Sequence, residues 1–172
     1  MTVTTHAPHV APLNHLADLA VATHGGEPYY HADHGGGIHA RVVLIDSKWA
    51  STSSQALTAH SANDEVFEPG AIIWIPLRST TESPVDLKTV ARKLEGMDSV
   101  AVVILAGKGV AKDFEPLRNS HLMRDVLVIE TEPTGTRGLG GTGQLATMAQ
   151  RRAKFVADLT EARDYAYPFG FD

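Results

Sequence analysis

The chain contains no cysteine. That absence excludes disulfides, thiolate zinc sites and a cysteine nucleophile together. No apolar run approaches the ~20 residues that span a bilayer, so no membrane partner is expected. The opening, MTVTTHAPHVAPLNH, lacks both a basic n-region and an apolar h-region. No secretory leader is therefore expected, and the cytoplasm is the default compartment. Positive charge is not in excess either, since the formal net charge is −5. This argues against a large non-specific nucleic-acid surface, although acidic metal ligands and a local basic face can coexist. The densest basic cluster, Arg151, Arg152 and Lys154, reads as a solvated helix face. No G-x-S-x-G elbow, helical HExxH or internal repeat is present.

What remains is an ordinary globular composition. The 172 residues are 43% hydrophobic and 20% charged, which suits one domain with a real core. Residues 1–12 carry prolines without periodicity and read as a flexible arm, leaving 13–172 as a single domain. LNHLADLAVATHGG has helical spacing and a glycine stop. EPYYHADHGGGIHARVVLIDSKW has the pattern of a β-hairpin. Its arms would be Tyr29 to Asp33 and Ile38 to Ile45, with His34 to Gly37 as the turn. SSQALTAHS suggests a short helix. AIIWIPL, SVAVVILAG and DVLVIETEP read as strands covered on both faces, with Pro76 near the end of the first.

Between these strands, SPVDLKTVARKLEGM is a well-punctuated helix, with Ser83 as its cap, Pro84 in its first turn and Gly96 at its end. KDFEPLRNSHLM suggests an irregular helix, and QLATMAQRRAKFVADLTEARDYA a long final one. Strands alternating with helices specify an α/β fold: a single layered domain, its sheet mixed but mostly parallel, with helices on both faces and an early β-hairpin.

VVLIDSK is the stretch that carries chemistry. Alternation puts Asp46 and Lys48 on one face of an extended chain. Such a pair is either a solvated ion pair at a strand end or part of a metal site. The order helix, hairpin, strand ending in D-x-K, helix, strand resembles the PD-(D/E)xK nuclease superfamily. The resemblance spans roughly residues 13–107 by element order and rests on Asp33, Asp46 and Lys48. It implies that Asp33 and Asp46 hold Mg²⁺ and that Lys48 positions or activates the attacking water. Gln55 falls where some members carry a helper glutamine. The implied activity is metal-dependent phosphodiester hydrolysis of a nucleic acid, in which the ion polarises the phosphate and acidifies a water.

Two further segments offer polar groups. HADHGGGIH places His31, His34 and His39 within nine residues. It is either a transition-metal site, with Asp33 adding an oxygen, or a set of turn and surface histidines. TEPTGTRGLGGTGQ satisfies G-x-G-x-x-G at Gly138, Gly140 and Gly143. Seven residues separate it from the strand, the chain finishes after the next helix, and Gln144 stands where a Walker motif needs lysine. NAD and P-loop nucleotide binding are therefore not expected. A substrate-contacting loop with Arg137 on a phosphate is one reading of this stretch, and a plain connector the other. At the C-terminus, Tyr167, Phe169 and Phe171 alternate. They suit docking on a sheet edge, on a partner copy in a homo-oligomer, or on their own chain.

Three function classes follow. The first is the Mg²⁺-dependent nuclease built on Asp33, Asp46 and Lys48. The second is a non-catalytic α/β interaction or assembly subunit. The third is a small-molecule or nucleotide-binding enzyme that uses the glycine-rich loop at 134–144. It requires a pocket at the carboxyl ends of the central strands.

Overall fold

A computed structural model describes residues 39–48, 57–68, 70–78, 83–134, 139 and 145–171, with Lys48, Leu57, Leu145 and Ala146 described by backbone alone. Four strands form the sheet: β1 (Val42–Lys48), β2 (Ile72–Arg78), β3 (Val102–Ala106) and β4 (Leu127–Thr131). Four helices accompany them: α1 (Leu57–Val66), α2 (Leu87–Glu95), α3 (Lys108–Arg118) and α4 (Leu145–Ala166). A 3₁₀ turn follows α3 at His121–Met123.

The strands lie in the order β2-β1-β3-β4, and every pairing is parallel. A parallel neighbour needs a crossover, and each crossover here carries a helix. The chain first moves from β1 to β2, then returns past β1 to β3 and on to β4. That reversal of direction sends the helices to opposite faces, since crossovers keep one hand. Val90 and Leu94 of α2 and Val110 and Phe114 of α3 pack with Val43, Ile45, Val103 and Leu105 on one face. Ala59, Ala62 and Val66 of α1 and Phe155, Leu159 and Ala162 of α4 pack with Val42, Leu44, Val102 and Ile104 on the other. The result is a three-layer α/β domain with two apolar cores separated by the sheet.

Over its described length β1 pairs only with parallel neighbours. Over Val42–Ile45, both edges of β1 are taken by parallel neighbours, β2 on one side and β3 on the other. The other arm of the expected hairpin, Tyr29 to Asp33, lies outside the described residues, as do the residue 1–12 arm and the first expected helix. The described sheet is wholly parallel.

Local chemistry accounts for the element ends. Asp86, not Ser83, caps α2: its carboxylate accepts from Thr89 N at 3.0 Å and from Thr89 Oγ1 at 2.8 Å. Pro84 consequently precedes the helix instead of lying in its first turn. Gly96 does end α2, though in the right-handed region. Pro76 lies within β2, where an outer strand tolerates a residue with no amide hydrogen. α3 follows β3 with one intervening residue, Gly107, at φ 101°. β4 is less covered than expected of a central strand, because it is outermost and Glu130 is exposed. The C-terminal aromatics divide. Tyr167 donates to Ala71 O at 2.6 Å and accepts from Arg41 N at 2.9 Å, and its ring meets Phe171 edge-on. Phe169 points into solvent.

Candidate functional site

A doubly wound sheet opens a crevice where neighbouring strands send their chains in opposite directions, outside their carboxyl ends. Here that point lies between β1 and β3. The chain leaving β1 goes to β2, and the chain leaving β3 goes to β4 on the other side. Asp46 sits at this end of β1.

Asp46 is only 7% exposed. Oδ1 accepts from the Ser47 amide at 2.7 Å, and Oδ2 accepts from Thr134 Oγ1 at 2.6 Å. A buried carboxylate needs such donors, because removing a charge from water is otherwise prohibitive. Asp46 is therefore not the solvated strand-end ion that one reading of the sequence expected. Lys48 continues the same strand, with its backbone in register with Arg78, so positions 46 and 48 share a strand face.

Thr134 begins the glycine-rich stretch. Its bond to Asp46 ties this first residue to the central strand across 88 residues of sequence. Further on, Leu139 N donates to Pro133 O at 2.9 Å and its side chain is buried in the α1/α4-side core. Between β4 and Thr134, Pro133 crosses the end of β3. A Cβ placed on Gly107 would lie 3.0 Å from Pro133 Cγ, so a side chain there would crowd the proline as well as strain the backbone at φ 101°.

Register and alternation define the floor. Ile45 pairs with Leu105, and Ala106 pairs with Thr131. The row at the carboxyl ends therefore reads Asp46, Ala106, Thr131, all on the α1/α4 face. Thr131 is 7% exposed, and its Oγ1 has no hydrogen-bond partner among the described residues. An unmade bond of this kind costs about 1–3 kcal/mol. The N-terminus of α3 lies at the same end of the sheet. Its first turn reads Lys108-Gly109-Val110, no side chain caps it, and a Cβ on Gly109 would meet nothing within 4 Å. Such a terminus presents amide hydrogens and a partial positive charge.

The remaining expected site residues fall elsewhere. Asp33, Gln55, Arg137, Gly138, Gly140 and Gly143, with His31 and His34, lie outside the described residues. His39 is at the opposite, amino end of the sheet, where its Nδ1 meets Asp98 Oδ2 at 2.7 Å in an exposed pair. The Ser99 hydroxyl, and then His39, hold the Asp98 carboxyl below its usual range. His39 thus takes no part in a site at Asp46. Among the described residues, no group of three or more His, Asp or Glu side chains is placed to hold a metal ion.

Sequence reasoning passed over Thr131, Thr134 and the turn at Gly107. Only the last left a trace, as a strand running directly into A-G-K-G. No known protein family matches the chain, and no curated protein matches its sequence.

Proposed function

We propose that the protein binds a phosphorylated small molecule, of nucleotide or sugar-phosphate type, at the carboxyl ends of β1 and β3, and acts on its phosphate with Mg²⁺. The observation that carries this reading is the buried Asp46–Thr134 hydrogen bond. It holds Thr134, the residue that opens the glycine-rich stretch, at the strand ends where doubly wound sheets generally bind their ligands. A hydrogen-bonded carboxylate at the centre of such a crevice suits a hard cation, which needs one or two carboxylates and takes its other oxygens from water and phosphate. Asp46 is the residue that would hold Mg²⁺, and the ion would supply charge to a phosphate oxygen. The open N-terminus of α3, with Lys108, supports binding of the phosphate itself. The net charge of −5 favours a small ligand over an extended nucleic-acid surface.

A second reading, the phosphodiester-cleaving nuclease, keeps support from one observation: β1 continues through Lys48, so the D-x-K pair lies on one strand face.

Thermal unfolding with ATP, ADP, ribose 5-phosphate and inorganic phosphate, each with and without Mg²⁺, tests the first reading. Asp46→Asn is the paired variant, since an amide can accept from Ser47 N and donate to the Thr134 hydroxyl while removing the charge. Mg²⁺-dependent stabilisation that is lost in the variant is the expected result. No stabilisation by any of these compounds, beside metal-dependent cleavage of labelled DNA or RNA, would favour the nuclease.

A further inference from the structure

Building on the reading above, we infer that Thr131 is a ligand-binding residue of the same site and that its hydroxyl bonds an oxygen of the phosphorylated ligand over Ala106.

Thr131 closes β4 with a hydroxyl that is more than nine-tenths buried and lacks a partner among the described residues. Buried polar atoms in folded proteins are nearly always satisfied, and each exception calls for a partner such as an ordered water, an ion or a ligand atom. Valine has the same shape and a comparable strand preference, so the interior of β4 gains nothing from the oxygen. The surroundings indicate where its partner comes from. Thr131 and Asp46 lie in one row on one sheet face, with only the methyl group of Ala106 between them. Neighbouring strands are about 4.8 Å apart, so the two positions are separated by about 10 Å. Glu132, Pro133 and Thr134 arch over the end of β3, and Thr134 comes down on Asp46. Thr131 forms one foot of that arch and Thr134 the other. The donors and acceptors of a ligand held at Asp46 thus have Thr131 as the next polar side chain along the row. A hydroxyl both donates and accepts, so it serves a phosphate or a sugar oxygen equally.

The test compares wild type, Thr131→Val, Thr131→Ser and Asp46→Asn by calorimetric titration with ATP and with ribose 5-phosphate, in Mg²⁺. A parallel measurement of unfolding without ligand checks that each variant folds. Thr131→Val is expected to weaken binding about tenfold while its ligand-free Tm is unchanged or higher. Thr131→Ser should stay within about threefold of wild type, because the hydroxyl is kept. In wild type the Thr131 methyl resonance should shift on ligand addition. Wild-type affinity in Thr131→Val, with binding lost in Asp46→Asn, would overturn this inference and leave the site at Asp46 standing. Absence of binding by wild type would overturn both.

Discussion

Asp46 and Lys93 are both ionisable side chains removed from water, and their surroundings treat them in opposite ways. Asp46 accepts hydrogen bonds from an amide and a hydroxyl. Lys93, on the inner face of α2, is fully buried, and desolvation pulls its amine down to about 6 despite the opposing pull of Asp86. In the unfolded chain the amine keeps its ordinary value near 10.5. Between those two values the unfolded state binds more protons, so stability rises with pH across that window. The slope should reach about 1.4 kcal/mol per pH unit. Below about 6 both states are protonated and the penalty is present in full. Lys93→Met is expected to be more stable than wild type at pH 7 and to lose most of that slope, as measured by urea unfolding at pH 6, 7.5 and 9. An unchanged slope would place the titration elsewhere. Nothing in the sequence marks this residue, because the stripe Leu87, Val90, Ala91, Leu94 defines the inner face without it and lysine at a helix surface is the ordinary case.

Element by element, the legible parts were those with strong local chemistry. VVLI, AIIWI and VVILA are apolar throughout because both faces of a parallel sheet are covered, and each proved to be a strand. Pairing order was not legible, because it depends on which crossover each helix makes and not on any strand's own residues. Thus one edge of β1 is taken by β3, more than fifty residues after the Gly-rich stretch at 35–37. The turn from β3 into α3 depends on Gly107 in both conformation and space. Gly107→Ala should cost about 1–3 kcal/mol in unfolding free energy, since it combines φ 101° with a contact at 3.0 Å to Pro133. The C-terminal tail is held chiefly by Tyr167, which links Arg41 N to Ala71 O. Burial and the lost solvent raise its phenol above the usual value. Tyr167→Phe should lower stability by about 1–2 kcal/mol and expose Phe171, a change readable by near-UV circular dichroism. Phe169, alternating with these two, is expected to be neutral on substitution with serine, because it touches nothing in the folded chain.

Over the whole molecule, the strand order β2-β1-β3-β4 decides where a ligand has room. The sequence singled out Asp46 because a carboxylate ending an apolar strand is conspicuous. It did not single out Thr131 or Thr134, because threonine is a common strand and loop residue and the bond to Asp46 spans 88 positions. No helix among the described residues is long and apolar enough to cross a membrane. The proposed function puts a phosphorylated small molecule where β1 and β3 end. The most direct test is an amide NMR titration with ATP and Mg²⁺, followed residue by residue. Shifts are expected at Ser47, Gly107 to Val110, Thr131 and Thr134, and their loss is expected in Asp46→Asn. Shifts confined to the outer groove between α3 and β4, at Lys112, Glu115 and Arg118, or no shifts at all, would contradict it.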